Sequence, residues 1–281
     1  MNDVIAALVG GLFDESGTAA YARPVLFGTA GDAVCEALPE QAQTRFFVHD
    51  DREPALAGAR SLPLDPANRF AALAELPDCG QVLVIAAPFA LAEADALTRL
   101  LTMQVTTGYG VSVLADEQRG FDAEGQPLPR EEHCLAAVFT CEALRRALRS
   151  GADTLDALVA AAVQAGAQKG VAVTGEIVEI CSGGSAYIAQ MALMQQINFG
   201  LIEKGVQLFD PAGTYIAPDA EIEAGAVILP GCHIRPGCKI GAGAVIGPNA
   251  ILEKAEIGAG TTVNNSQVYE STVGKNVTVG P

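Results

Sequence analysis

The side chains best suited to metal or nucleophilic chemistry are three histidines and seven cysteines. Their spacing argues against both uses. His49, His133 and His233 show no i,i+4 pair and no neighbouring cysteine at ligand spacing, so zinc chemistry is not expected. Cysteines 35, 79, 134, 141, 181, 232 and 238 form an odd set with no Cys-x-x-Cys, which reads as free thiols rather than a disulfide framework or zinc ribbon. A serine nucleophile needs a sharp turn such as Gly-x-Ser-x-Gly. The nearest string, Gly183-Gly184-Ser185, reads as a turn before a helix. Asp50-Asp51-Arg52 follows a strand-like run and reads as a solvated loop, with a relocated catalytic group as the alternative. His233 lies beside Ile234 in a column shared with Val227, Lys239 and Val245, which makes it an exposed or partner-facing side chain. Acyl transfer there is the weaker alternative.

The chain has 281 residues, 33 acidic against 17 basic, a net charge of -16 and 50% apolar residues, enough for one or two cores. So acidic a surface repels phosphate backbones and anionic lipid, and nucleic acid and membrane are excluded as expected partners. The opening MNDVIAALVGGLFDESG has no basic leader and its apolar run is broken by glycines and acids, so a cytoplasmic location is expected.

The first 205 residues alternate apolar runs with helical patterns, as an α/β domain does. Strands are expected at Val4 to Val9, Arg45 to Val48, Val82 to Ala86, Val111 to Leu114, Leu135 to Thr140, Val171 to Thr174 and Glu176 to Ile180. Helices fit Gly31 to Leu38, Arg69 to Leu76, Leu91 to Leu101, Glu142 to Leu148, Thr154 to Ala165 and Ser185 to Lys204. The last closes on Gly205 and leads into a repeat, which places a domain boundary there.

From residue 214 aliphatics recur every six positions, at Ile216, Ile222, Ile228, Ile234, Ile240, Ile246 and Leu252. The position four after each of the six isoleucines is small: Ala220, Ala226, Cys232, Cys238, Ala244 and Ala250. Between them lie turn pairs such as Pro218-Asp219, Pro230-Gly231, Pro236-Gly237 and Pro248-Asn249, whose second residue suits positive φ. Six residues cannot bury their own isoleucine, whereas three such units coiled into a rung stack the columns: a parallel β-helix. Ile216 to Val279 corresponds to about three and a half rungs of eighteen. After Leu252 the spacing loosens to Ile257, Val263, Val268, Val273 and Val279, so some turns shorten. The glycines of Gly241-Ala242-Gly243 are explained by turns, not by a dinucleotide fingerprint. The unpaired edge of the last rung invites cover by another subunit.

Ile197-Asn198 through Gly205-Val206, Asp210-Pro211 and Thr214-Tyr215-Ile216 with the first rungs resemble the bifunctional bacterial N-acetylglucosamine-1-phosphate uridylyltransferase and glucosamine-1-phosphate acetyltransferase family. With weaker similarity elsewhere, the resemblance covers nearly the whole chain. It implies an α/β nucleotidyltransferase-like (Rossmann-like) domain at 1–205, followed by a left-handed parallel β-helix of hexapeptide repeats at 206–281. It also implies a homo-oligomer, a trimer through the β-helix. The family's triphosphate loop corresponds to Gly10-Gly11 through Gly17, and its Pro-Lys-Val-Leu to Arg23-Pro24-Val25-Leu26, where proline replaces the lysine. The uracil-reading run corresponds to Pro66-Ala67-Asn68-Arg69-Phe70. The aspartate that holds Mg2+ falls on Ala86 in Ile85-Ala86-Ala87-Pro88, and the second ligand falls on Cys181. Candidate substrate-binding positions are therefore Gly10, Gly11, Arg23, Ala86, Ala87 and Cys181, with no catalytic residue and no resident metal expected. The family's acetyl-CoA rungs have no counterpart in these residues. Two readings stay open: a catalytically impaired binding or assembly protein, pairing with itself or with an active paralogue, or an active Mg2+-dependent transferase with relocated groups.

Overall fold

In this computed structural model, residues 3–91, 93, 95–116, 134–175 and 177–281 are described. His133, Glu176 and Ala94 lie outside them. The chain divides into two compact units, 1–189 and 190–281, with the division inside one long helix.

The first unit is built on a mixed seven-stranded sheet. In chain order its strands are β1 (Val4–Val9), a hairpin of β2 (Pro24–Val25) and β3 (Gly28–Thr29), β4 (Thr44–His49), β5 (Ala59–Pro63), β6 (Gln81–Ile85), β7 (Phe89–Leu91), β8 (Val111–Asp116), β9 (Ala136–Thr140), β10 (Lys169–Thr174) and β11 (Ile177–Glu179). The large sheet runs β10-β8-β9-β6-β1-β4-β5, and only β9 is antiparallel to its neighbours. β1 is VIAALV and buried along its length, as a central parallel strand covered on both faces must be. Its residues alternate between two cores. Ile5, Ala7 and Val9 join Phe46, Val84 and Phe139 on one face, while Val4, Ala6 and Leu8 join Phe47, Leu83 and Leu97 on the other.

Five helices accompany these strands: α1 (Ala30–Ala37), α2 (Ala96–Thr107), α3 (Cys141–Leu148), α4 (Leu155–Gln164) and α5 (Gly183–Glu203). Thr29 and Asp32 form a reciprocal capping box at the start of α1, and Thr140 and Thr154 cap α3 and α4 by accepting from Ala143 and Ala157. Several expectations shift. Leu91 belongs to β7, paired antiparallel with β11, so the helix placed at Leu91 to Leu101 starts only after Asp95 and runs on to Gly108, which ends it at φ 67°. The helix placed at Arg69 to Leu76 is a short 3-10 turn, Ala71–Glu75, which leaves Arg69 outside. Gly183 and Gly184 are the first residues of α5 rather than a turn before it. β5 carries no apolar alternation in ARSLP. It is an edge strand held by its register with β4 and ends on proline, where an edge tolerates it.

The second unit is a parallel β-helix of three sheets with five, four and four strands. Ile216, Ile234, Leu252 and Val268 stack in one column, and Ile222, Ile240, Ile257 and Val273 in the next. The third column is Leu208, Ile228, Ile246, Val263 and Val279. Each rung shields the isoleucines of the one before, and burying one such side chain is worth about 1.5–3 kcal/mol. Gly225, Gly231, Gly237, Gly243 and Asn249 take positive φ at the turns. Asp219 does not; its carboxylate instead accepts the Gly237 N–H of the next rung at 2.8 Å. Cys232 and Cys238 are buried small residues. The shortening is visible in the register: Glu221 faces Lys239, Lys239 faces Glu256 and Glu256 faces Thr272, so rungs contract from eighteen to seventeen to sixteen residues. Asn198, fully buried, donates to Pro211 O at 2.7 Å and Thr214 O at 2.9 Å and ties the end of α5 to the entry of the coil.

Candidate functional site

In an open α/β sheet the place for a ligand is the crevice beyond the carboxyl ends of the strands, where the strand order reverses. Here the chain moves outward from β1 through β4 and β5 and then returns to place β6 on the other side of β1, so the reversal lies between β1 and β6. Gly10 and Gly11 leave β1 at that point and Ala86 and Ala87 leave β6, so these four candidate positions converge on one crevice. Ile180 N–H donates to Pro88 O, which brings Cys181 to the same end of the sheet. Arg23 lies by the first residue of α5, two residues after Cys181, with its Nη1 3.9 Å from where a Gly183 Cβ would stand.

A side chain absent from the candidate set fills the crevice. Arg69 donates from Nε to Gly10 O at 2.8 Å and from Nη2 to Val9 O at 3.1 Å and Ala86 O at 2.5 Å. One guanidinium thus bridges the ends of β1 and β6 through three backbone carbonyls. Burial makes its charge harder to hold, pulling its pKa down, while Tyr21, Glu53 and Glu179 oppose that.

The loop after β1 shows a parallel substitution. Nucleotide loops hold phosphate with backbone N–H groups and a cation. Here Gly11 N–H donates to Glu53 Oε2 at 2.8 Å. The Ser16 and Thr18 N–H groups both donate to Asp14 Oδ1 at 2.9 Å, and Asp14 Oδ2 pairs with Arg23. Arg23 is 7% exposed and Glu53 3%, so neither pair is a loose surface contact. Burial raises the Glu53 pKa, partly offset by the Gly11 N–H. A methyl group at Gly10 would collide with the Glu53 carboxylate and force it to move. Internal carboxylates therefore take the Gly11, Ser16 and Thr18 N–H groups and one Arg23 nitrogen, while the buried Arg23 Nε has no partner.

Asp50 and Arg52 pair with each other, at 2.6 Å, on the exposed turn after β4, and Arg52 also lies 4.0 Å over the Phe13 ring. Cys181 is exposed, and its N–H donates to Ser185 Oγ at 3.0 Å. In the second unit His233 stacks on Tyr215, with ring centroids 5.0 Å apart.

A bacterial transferase hexapeptide model of six repeats matches residues 219–254. Proteins described as bifunctional protein GlmU match longer stretches. That of Clostridium novyi (strain NT) is 36% identical over 106 residues, covering 38% of this chain and 23% of that protein. That of Bacillus velezensis is 41% identical over 93 residues, 33% of this chain and 20% of that protein. The GlmU of Caldanaerobacter subterraneus subsp. tengcongensis is 30% identical over 238 residues, 73% of this chain and 52% of that protein. The chain is a divergent relative of the bifunctional protein GlmU. Matches span from a fifth to about half the length of these relatives. Among solved structures, 2-C-methyl-D-erythritol 4-phosphate cytidylyltransferase from Thermus thermophilus aligns at 20% identity with a TM-score of 0.48, over 68% of this chain and 98% of that one.

The magnesium ion that the resemblance implies does not fit this crevice. The two ligand positions carry a methyl and a thiol, and a guanidinium sits on the carbonyl of Ala86, where it would repel a divalent cation. Among the described residues no three His, Cys, Asp or Glu side chains gather to hold a metal, and no helix is long and apolar enough to cross a membrane.

Proposed function

We propose that this chain is a catalytically impaired relative of UDP-N-acetylglucosamine pyrophosphorylase, acting as a nucleotide-sugar or sugar-phosphate binding and assembly protein. The observation that carries the reading is the occupied crevice: Glu53 and Asp14 take the loop's N–H donors, Asp14 takes Arg23, and Arg69 takes the carbonyls between β1 and β6. In-line nucleotidyl transfer depends on positioning phosphates and neutralising their charge, and here Gly11, Ser16, Thr18, Arg69 and one Arg23 nitrogen are engaged by internal partners.

Assembly rests on the outward faces of the coil. One face presents half-buried Val227, Leu229 and Val245, another the half-buried Tyr215, His233 and Ile251, and the third the charged Glu221, Lys239 and Glu256. Two faces with apolar centres suit contact with further copies, as in a trimer.

The test is turnover. The chain with UTP, N-acetylglucosamine 1-phosphate and Mg2+ should release no pyrophosphate above the blank. Release that disappears in Arg23→Ala would establish an active transferase instead. Thermal shift with UDP-N-acetylglucosamine and with the sugar phosphate then separates a binding protein from an inert scaffold. Light scattering at micromolar concentration should give a multiple of 28.9 kDa, and a strict monomer contradicts the assembly reading.

A further inference from the structure

The end of the sheet remote from the crevice carries two thiols in one place. Cys79 lies just before β6 and Cys141 opens α3 just after β9, and these strands are antiparallel with Gln81 opposite Thr140. The Cys79 and Cys141 side chains lie within hydrogen-bonding reach of each other. The two segments are already clamped: Asp78 pairs with Arg145, one helical turn beyond Cys141, at 2.5 Å, and Arg145 Nη2 reaches Leu76 O at 3.5 Å. Both thiols are half-buried, and Cys79 packs against the core on that face of the sheet. Cys134, Cys232 and Cys238 are buried and Cys35 is half-buried elsewhere.

We propose that Cys79 and Cys141 are a redox modification site, closing into an intrachain disulfide when the protein meets hydrogen peroxide. The Cys79 thiol is pushed up to about 12, by burial first and then by the charge and hydrogen bonding of Cys141. One of the two thiols, as its thiolate, attacks one peroxide oxygen; an S–O bond forms, the O–O bond breaks, and the departing hydroxide takes a proton to leave as water. The other sulfur then attacks the sulfenic sulfur, forming S–S and breaking S–O, and its proton leaves with the hydroxide as a second water. Two thiols are oxidised and one peroxide is reduced. The bond would tie the loop ahead of β6 to the first turn of α3.

The experiment uses the full chain carrying Cys181→Ser, which removes the exposed thiol that would cross-link molecules. After stoichiometric hydrogen peroxide, non-reducing peptide mapping should show one major linked pair, 79 to 141, lost on adding dithiothreitol. The melting temperature should rise by about 5–10 °C on oxidation and return on reduction. Cys141→Ala and, separately, Cys79→Ser should abolish both the linked peptide and the rise. The proposal is overturned if either single variant keeps the rise. It is equally overturned if peroxide leaves both thiols titratable, carries each to sulfinic acid unlinked, or links other cysteines in preference.

Discussion

Replacing Arg69 tests whether one guanidinium holds the crevice shut. Arg69→Met keeps much of the aliphatic stem and removes the hydrogen bonds to Val9, Gly10 and Ala86. Bonds from a charged donor are worth about 1.5–3 kcal/mol each, and a buried carbonyl left unpaired costs about 1–3 kcal/mol. Val9 is fully buried and Ala86 is 9% exposed, so water satisfies their carbonyls incompletely. Because Arg69 is itself only half-buried and its own desolvation is recovered, the three bonds should not add in full. The expected loss is about 3–5 kcal/mol, or a fall of about 10–15 °C in the melting of the first unit. Arg69→Lys keeps one charged contact and should lose less. The assay is urea unfolding followed by far-ultraviolet circular dichroism, with thermal melting alongside. A methionine variant within about 1 kcal/mol of the parent would refute the clamp.

Other consequences follow from the same contacts. Asp14→Ala frees the Ser16 and Thr18 N–H groups and Arg23 together, so tripolyphosphate should bind the variant measurably in calorimetry while the parent gives no heat. Equal heats would show that the donors were never blocked. The raised pKa of Glu53 sets a pH dependence. The folded state holds this proton more tightly than the unfolded, so the contribution is present below the ordinary glutamate range and lost as pH rises to the folded value. Denaturation from pH 4 to pH 7 should show the parent losing ground against Glu53→Gln, and parallel curves would contradict it. Gly10→Ala must displace the Glu53 carboxylate and should cost about 2 kcal/mol or more, read by urea unfolding. In the coil, Ile240→Ala opens a cavity between Ile222 and Ile257 and should cost about 3–4 kcal/mol, while Lys239→Ala, losing only an exposed pair with Glu221, should leave the unfolding midpoint unchanged.

The coil is legible in the sequence because its chemistry repeats at fixed spacing: each isoleucine, each small residue and most turn glycines announce their position by period alone. β1, β4 and α3 are legible for a related reason, since their burial is written as local runs and caps. The occupied crevice is not. Glu53 finds its partner at Gly11, 42 residues away, and Arg69 reaches Gly10 across 59, so no local pattern marks either side chain. The only local sign is a lone arginine amid PANRFAALAEL, a stretch whose spacing suggests the start of a helix. The reading of Ala86 and Cys181 as poor metal ligands needs only residue identity; how the vacated space is used requires the fold.

The most direct measurement is isothermal titration of UTP into the protein with and without Mg2+. Carboxylates and a guanidinium already seated in the crevice predict no metal-dependent heat, so the two titrations should superimpose. Saturable binding that requires Mg2+ and is lost in Arg23→Ala would contradict the account at its centre.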